Sequence, residues 1–104
     1  MNELTPQQVF GRLNDAQIVD VRETEEVADG MIIGARHIPL GVLPGSTAVL
    51  DKTRPVIAVC RSGRRSTAAA EQLAAAGFTA YTMSGGMLEW MSEGLPTAVP
   101  QAPH

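Results

Sequence analysis

Apolar positions along this chain fall into two textures: short unbroken runs bounded by charge or glycine, and stretches in which apolar and polar residues recur at helical spacing. Ile18–Val21 and Pro55–Cys60 are of the first kind and predict strands buried on both faces. Ala35–Pro39 and Thr79–Met83 are further strand candidates. A helix is predicted over Pro6–Leu13: Thr5 can cap its first amides, Pro6 suits the first helical position, and Gln8 completes a capping box. It would bury Val9, Phe10 and Leu13. The segment Thr24–Asp29 predicts one or two helical turns stopped at Gly30, with Glu23, Glu25 and Glu26 suited to a helix N-terminus.

The alanine-rich stretch Ser66–Ala76 predicts the longest helix, with Gly77 as its left-handed stop. Gly86–Ser92 predicts a last short helix closed by Gly94 and Pro96. Gly41–Leu50 carries no assignable pattern, and the tail from Pro96 to His104, with three prolines, is expected to be extended or frayed. Strands alternating with helices require crossover connections, so the fold class is α/β, a small domain with a central, mostly parallel sheet and helices on both faces. One domain is expected over residues 4–97, with 98–104 as the tail. In such sheets the ligand site lies beyond the carboxyl ends of the strands.

Composition narrows the functional classes. At 104 residues, 44% hydrophobic and 18% charged, the chain supports one core and no second module. Aromatic residues make up 4% and the net charge is -3, which argues against stacking on single strands or binding a phosphate backbone. One cysteine excludes an internal disulfide, and with two histidines no metal site or cofactor is expected. The start, MNELTPQQVF, shows neither a basic leader nor an apolar core, and no run approaches membrane-spanning length, so a cytoplasmic location without a membrane partner is expected.

The candidate chemistry sits in one loop, Cys60-Arg61-Ser62-Gly63-Arg64-Arg65-Ser66, between the strongest strand and the longest helix. It holds three of the eight basic residues, a local positive site on an acidic chain. A helix N-terminus offers unpaired amides and the positive end of the macrodipole, which favour an anion and favour thiolate over thiol. The Cys60 pKa is therefore expected below the free value of ~8.5. Gly63 suits a loop whose successive amides turn toward one point. The predicted geometry is a thiolate on the floor of an amide cradle.

These residues make the chain resemble the rhodanese-like sulfurtransferases, in particular their short single-domain thiosulfate sulfurtransferase type. The resemblance runs from Thr5 to Thr97 through Asp20-Val21-Arg22-Glu23, Gly34-Ala35, Ile38-Pro39, the Cys60 loop, Gly77-Phe78, Gly85-Gly86, Trp90, Gly94 and Pro96. Four residues separate Cys60 from Arg65, where phosphatases and arsenate reductases of the same fold place five. The resemblance implies that this smaller cradle suits a sulfur atom carried on the cysteine. It implies transfer of sulfane sulfur from thiosulfate, through a Cys60 persulfide, to cyanide or another thiophile such as a thiol. The alternatives are a persulfide carrier that works with a partner protein and, demoted by the presence of Cys60, a silent binding domain.

On this reading Cys60 is the nucleophile, and the amides of Arg61, Ser62, Gly63, Arg64 and Arg65 stabilise its charge. Arg61 and Arg64 face solvent and orient the donor, while Arg65 either braces the loop against a carboxylate or touches substrate. Ser62 and Ser66 can each hydrogen-bond the sulfur or cap the helix, and of the two roles Ser66 is expected to cap. Asp20 and Arg22 are expected to brace the domain, Glu23, Glu25, Glu26 and Asp29 to form a solvated face, His37 to lie on the surface, and Trp90 in the core. Met31 and Ile33 stand where the family commonly has His and Pro, which alters the expected shape of that segment.

Overall fold

The computed structural model describes residues 2–100. Its centre is a five-stranded sheet whose pairings are all parallel. In chain order the elements are β1 (Glu3–Leu4), α1 (Pro6–Phe10), β2 (Gln17–Asp20), α2 (Thr24–Val27), β3 (Met31–Ile32), β4 (Arg36–His37), β5 (Val56–Val59), α3 (Arg64–Ala75), β6 (Ala80–Met83), α4 (Gly86–Ser92) and β7 (Thr97–Ala98). Across the sheet the order is β1-β6-β5-β2-β4, and β3 pairs antiparallel with β7 in a separate two-stranded ribbon.

The unbroken apolar run of β5 is explained by its central position, because successive side chains enter opposite cores. Val56, Ala58 and Cys60 join Val19, Val21, Ala69 and Leu73 on the face covered by α3. Ile57 and Val59 join Val9, Ile18, Met83, Met87 and Trp90 on the face covered by α1 and α4. The Trp90 indole N–H donates to the Pro96 carbonyl at 3.1 Å, so the buried ring leaves no donor unpaired. The segment 41–50 that carried no pattern lies largely in two short 3-10 helices, Leu40–Gly45 and Thr47–Val49, which place Leu43 and Leu50 in the α3-side core.

Several boundaries differ from expectation. The capping box at Thr5 forms, with Gln8 N–H on Thr5 Oγ1 at 3.2 Å and Thr5 N–H on Gln8 Oε1 at 2.9 Å. The helix nevertheless ends at Phe10, because Gly11, a poor helix former, caps it, and residues 11–15 turn instead. Phe10 consequently remains 43% exposed, edge-on to Trp90 with ring centroids 6.2 Å apart, rather than buried. The strands β1, β3 and β7 escape prediction because two residues cannot show a period of two. Met31 and Ile32 are buried while Ile33 is half exposed, so the altered segment feeds the ribbon with β7. Residues 101–104 of the expected tail lie outside the described residues.

Asp20 and Arg22, 1% and 4% exposed, close the carboxyl end of β2 with a bidentate pair: Arg22 Nε and Nη2 reach the carboxylate at 2.9 and 2.7 Å. Arg22 Nη2 also donates to the Gly30 carbonyl at 2.8 Å, and the His37 ring N–H at Nε2 donates to the Arg22 carbonyl at 2.7 Å. His37 is thus half-buried and tied down rather than free on the surface. Removing one partner leaves the other charge buried and unpaired. Asp20→Ala is expected to destabilise the domain by about 3–5 kcal/mol, read as a lower midpoint in urea unfolding.

Candidate active site

The site is built where β5 ends and α3 begins, at the carboxyl edge shared by β2, β5 and β6. Cys60 is 1% exposed and its Sγ accepts the Gly63 N–H at 3.0 Å. Gly63 is the N-cap of α3 with φ of +108°, a left-handed turn that a side chain would oppose. The loop's carbonyls are disposed of elsewhere. The Cys60 carbonyl accepts the Met87 N–H at 2.8 Å and the Arg61 carbonyl accepts the Leu88 N–H at 3.0 Å, both from the first turn of α4. This approach requires Gly86, where a Cβ would lie 2.5 Å from the Cys60 carbonyl oxygen and would collide with that of Arg61.

Two opposed effects act on the Cys60 thiol. Burial raises its pKa by penalising the charge, and hydrogen bonds from the Ser66 hydroxyl and the amides of Ser66, Gly63 and Ser62 lower it. The hydrogen bonds prevail and the pKa lies below its ordinary value. The depressed thiol pKa expected from the sequence is met, with hydrogen bonds to the sulfur from Ser66, Gly63 and Ser62 as its causes.

Arg61, Ser62 and Arg64 are exposed and Gly63 and Arg65 half-buried. Arg65 turns back from the loop onto α2, where its Nη1 and Nη2 reach Glu26 at 2.7 and 2.8 Å. Glu26 was expected on a solvated face. It is instead the carboxylate that braces the loop, and the Arg65 hydrogen bonds pull its pKa from 4.5 down to about 2. Its Oε1 also accepts the Glu23 N–H at 2.9 Å, and its backbone carbonyl accepts Arg22 Nη1 at 3.3 Å, linking the brace to the buried Asp20 pair. Among the described residues, Arg61 and Arg64 form no ion pair, so the charge offered to solvent comes from two arginines rather than three.

Ser66 does not cap α3. The helix starts two residues earlier, at Arg64, because Gly63 supplies the turn, and Ser66 is fully buried behind the nucleophile. Its Oγ lies 3.5 Å from Cys60 Sγ and 2.6 Å from Thr82 Oγ1 of β6. Thr82 was missed by sequence reasoning, since a β-branched residue in a strand carries no functional signal. Beside the loop a cleft of about 210 Å³ is lined by Arg61, Arg22, Glu26, Asp29, Met87, Leu88 and Met91. Among the described residues no group of three His, Cys, Asp or Glu could hold a metal ion, and no helix is long and apolar enough to cross a membrane.

Fold and site together define a small parallel α/β domain that presents an activated cysteine in a strand-to-helix amide loop. The rhodanese-like domain family model matches residues 5–93, and the chain belongs to the rhodanese-like sulfurtransferase family. It is 33% identical to a sulfurtransferase of Allochromatium vinosum over 105 aligned positions, covering 97% of this chain and 98% of that one. It is 36% identical to the thiosulfate sulfurtransferase GlpE of Pseudomonas aeruginosa over 91 positions, 86% of this chain and 83% of that one. The crystal structure of a rhodanese-related protein from Thermoplasma volcanium superposes with a TM-score of 0.91 at 26% identity, covering 96% of this chain and all of that one.

Because Glu26 titrates lower in the folded chain than in the unfolded one, its pairing with Arg65 stabilises fully above pH 4.5 and is lost as pH falls through about 2. The urea midpoint of Glu26→Gln should therefore lie below wild type at about pH 6, with the gap closing as both proteins are taken toward about pH 2.

Proposed function

We propose that this chain is a thiosulfate sulfurtransferase working by double displacement on Cys60. The observation that carries the reading is a buried sulfur held by the Gly63 amide in a loop whose Arg61 and Arg64 are exposed and, among the described residues, form no ion pair. Thiosulfate enters along the field of Arg61 and Arg64. The Cys60 thiolate attacks the outer, sulfane sulfur; the sulfur–sulfur bond of thiosulfate breaks, and sulfite leaves with the bonding pair. The persulfide remains in the loop, where the amides of residues 61–65 act as fixed dipoles toward its charge. Cyanide carbon, or the sulfur of an acceptor thiolate, then attacks the outer persulfide sulfur, giving thiocyanate or an acceptor persulfide and restoring the Cys60 thiolate. The GlpE relatives, which are thiosulfate sulfurtransferases by name, support this choice of donor.

With one cysteine in the chain, no second thiol can resolve the persulfide internally, so the sulfur passes to an external acceptor. A lone thiol that must return to the reduced state suits a reducing compartment such as the cytoplasm. The exposure of Leu88 and Met91, 50% and 44%, beside Arg61 favours a second reading, in which the persulfide is delivered to a partner protein.

Incubation with thiosulfate and cyanide should release thiocyanate, and Cys60→Ser should reduce release to the uncatalysed background. With thiosulfate alone, intact mass should show wild type one sulfur atom heavier. Absence of both thiocyanate and the adduct would overturn the proposal, and an adduct without thiocyanate would move it to the carrier reading. Arg61→Ala and Arg64→Ala should each raise KM for thiosulfate about two- to fivefold, an effect that shrinks as salt is added.

A further inference from the structure

Behind Cys60, on the side away from solvent, lie two uncharged groups that the displacement chemistry leaves unused: the hydroxyls of Ser66 and Thr82, 0% and 1% exposed. A hydroxyl in the middle of a buried strand costs free energy unless it is hydrogen-bonded, and valine would fill the Thr82 site with nearly the same shape. Thr82 lies opposite Ala58 in the register of β6 and β5, and among the described residues its Oγ1 has one side-chain neighbour at hydrogen-bonding distance, Ser66 Oγ at 2.6 Å.

Proton accounting assigns that contact a direction. The Gly63 carbonyl lies within reach of three donors: the Thr67 N–H at 3.2 Å, the Thr67 hydroxyl at 2.8 Å and the Ser66 hydroxyl at 3.1 Å. An oxygen with two lone pairs is filled by the two Thr67 donors, which releases the Ser66 proton. Two acceptors remain for that proton, Thr82 Oγ1 at 2.6 Å and Cys60 Sγ at 3.5 Å; given to Thr82, it would leave the buried Thr82 proton with no side-chain acceptor among the described residues, so it goes to the sulfur. If Ser66 donates to the sulfur, Thr82 must donate to Ser66, because the Ser66 hydroxyl has only one proton.

We propose that Thr82 is a positioning residue for the nucleophile: its hydroxyl donates to Ser66 Oγ and thereby turns the Ser66 proton onto the Cys60 thiolate. The chain of hydroxyls complements the amide cradle from the buried side, and each donor polarises the next. The charged groups near the sulfur are accounted for separately. Arg65 of α3 is paired with Glu26 of α2, Asp20 of β2 with Arg22, and Arg61, Arg64 and Glu89 of α4 are exposed. A substitution at Thr82 alters none of them.

The chain's single cysteine makes the test direct, because iodoacetamide alkylation followed by mass reports Cys60 alone. The alkylation rate is measured against pH for wild type, Thr82→Val, Thr82→Ala, Thr82→Ser and Ser66→Ala, with circular dichroism to confirm folding. Thr82→Val is expected to move the inflection upward by about 0.5 to 1 on the pH scale, a roughly three- to tenfold slower reaction below both inflections. Thr82→Ala should follow it, Ser66→Ala should move the inflection at least as far, and Thr82→Ser should return it to wild type. A wild-type inflection in a folded Thr82→Val or Thr82→Ala overturns the proposal, as does a Thr82→Ser that behaves like Thr82→Val. The inference adds to the sulfur-transfer reading, but alkylation needs neither thiosulfate nor cyanide, so failure of one does not imply failure of the other.

Discussion

A buried sulfur anion can be stable only where backbone N–H groups converge on it, and a chain that turns its amides inward must send its carbonyls somewhere else. Much of this fold serves that second requirement. The Cys60 and Arg61 carbonyls are taken by the Met87 and Leu88 amides of α4, and α4 reaches them because Gly85 and Gly86 both hold left-handed backbone. The Gly63 carbonyl is taken by Thr67. The two helix N-termini therefore do different work: α3 helps supply donors to the sulfur, and α4 supplies donors to the loop that holds it.

The arginines divide in the same way. Arg65 belongs to the scaffold, where its fork on Glu26 joins the loop to α2, and Arg22 joins α2 to the end of β2 through the Glu26 and Gly30 carbonyls and Asp20. The brace runs from the end of β2 to the nucleophile's loop through charge-assisted hydrogen bonds that include two bidentate pairs, Arg22 on Asp20 and Arg65 on Glu26, which fix orientation as well as distance. Arg61 and Arg64 stay outside it, exposed and, among the described residues, without an ion pair. A loop that looks uniformly basic in sequence is thus one structural cation and two available ones.

The elements most legible in the sequence are those whose residues carry a local reason for their conformation. The Thr5 capping box, the β5 run ended by Cys60 and the alanine-rich α3 are all found, because capping chemistry, burial on both faces and helix propensity act within a few residues. The parallel sheet with helices on both faces follows from their alternation. What escaped were three of the four two-residue strands, β1, β3 and β7, and contacts between segments far apart in the chain. Glu26 and Arg65 are 39 positions apart, and Ser66 and Thr82 are 16 apart.

Sequence alone therefore determined the family, the position of the cysteine at a strand end before a helix, and the sign of the field around it, since each follows from residue type and local order. Tertiary structure decided which acidic side chain of a run of four neutralises Arg65, why Ser66 faces the sulfur instead of capping the helix, and that Thr82 stands behind it. The physical reason is common to all three. A hydrogen bond needs its two partners within about 3 Å, and only the packing of α2, α3 and β6 around one loop sets those distances.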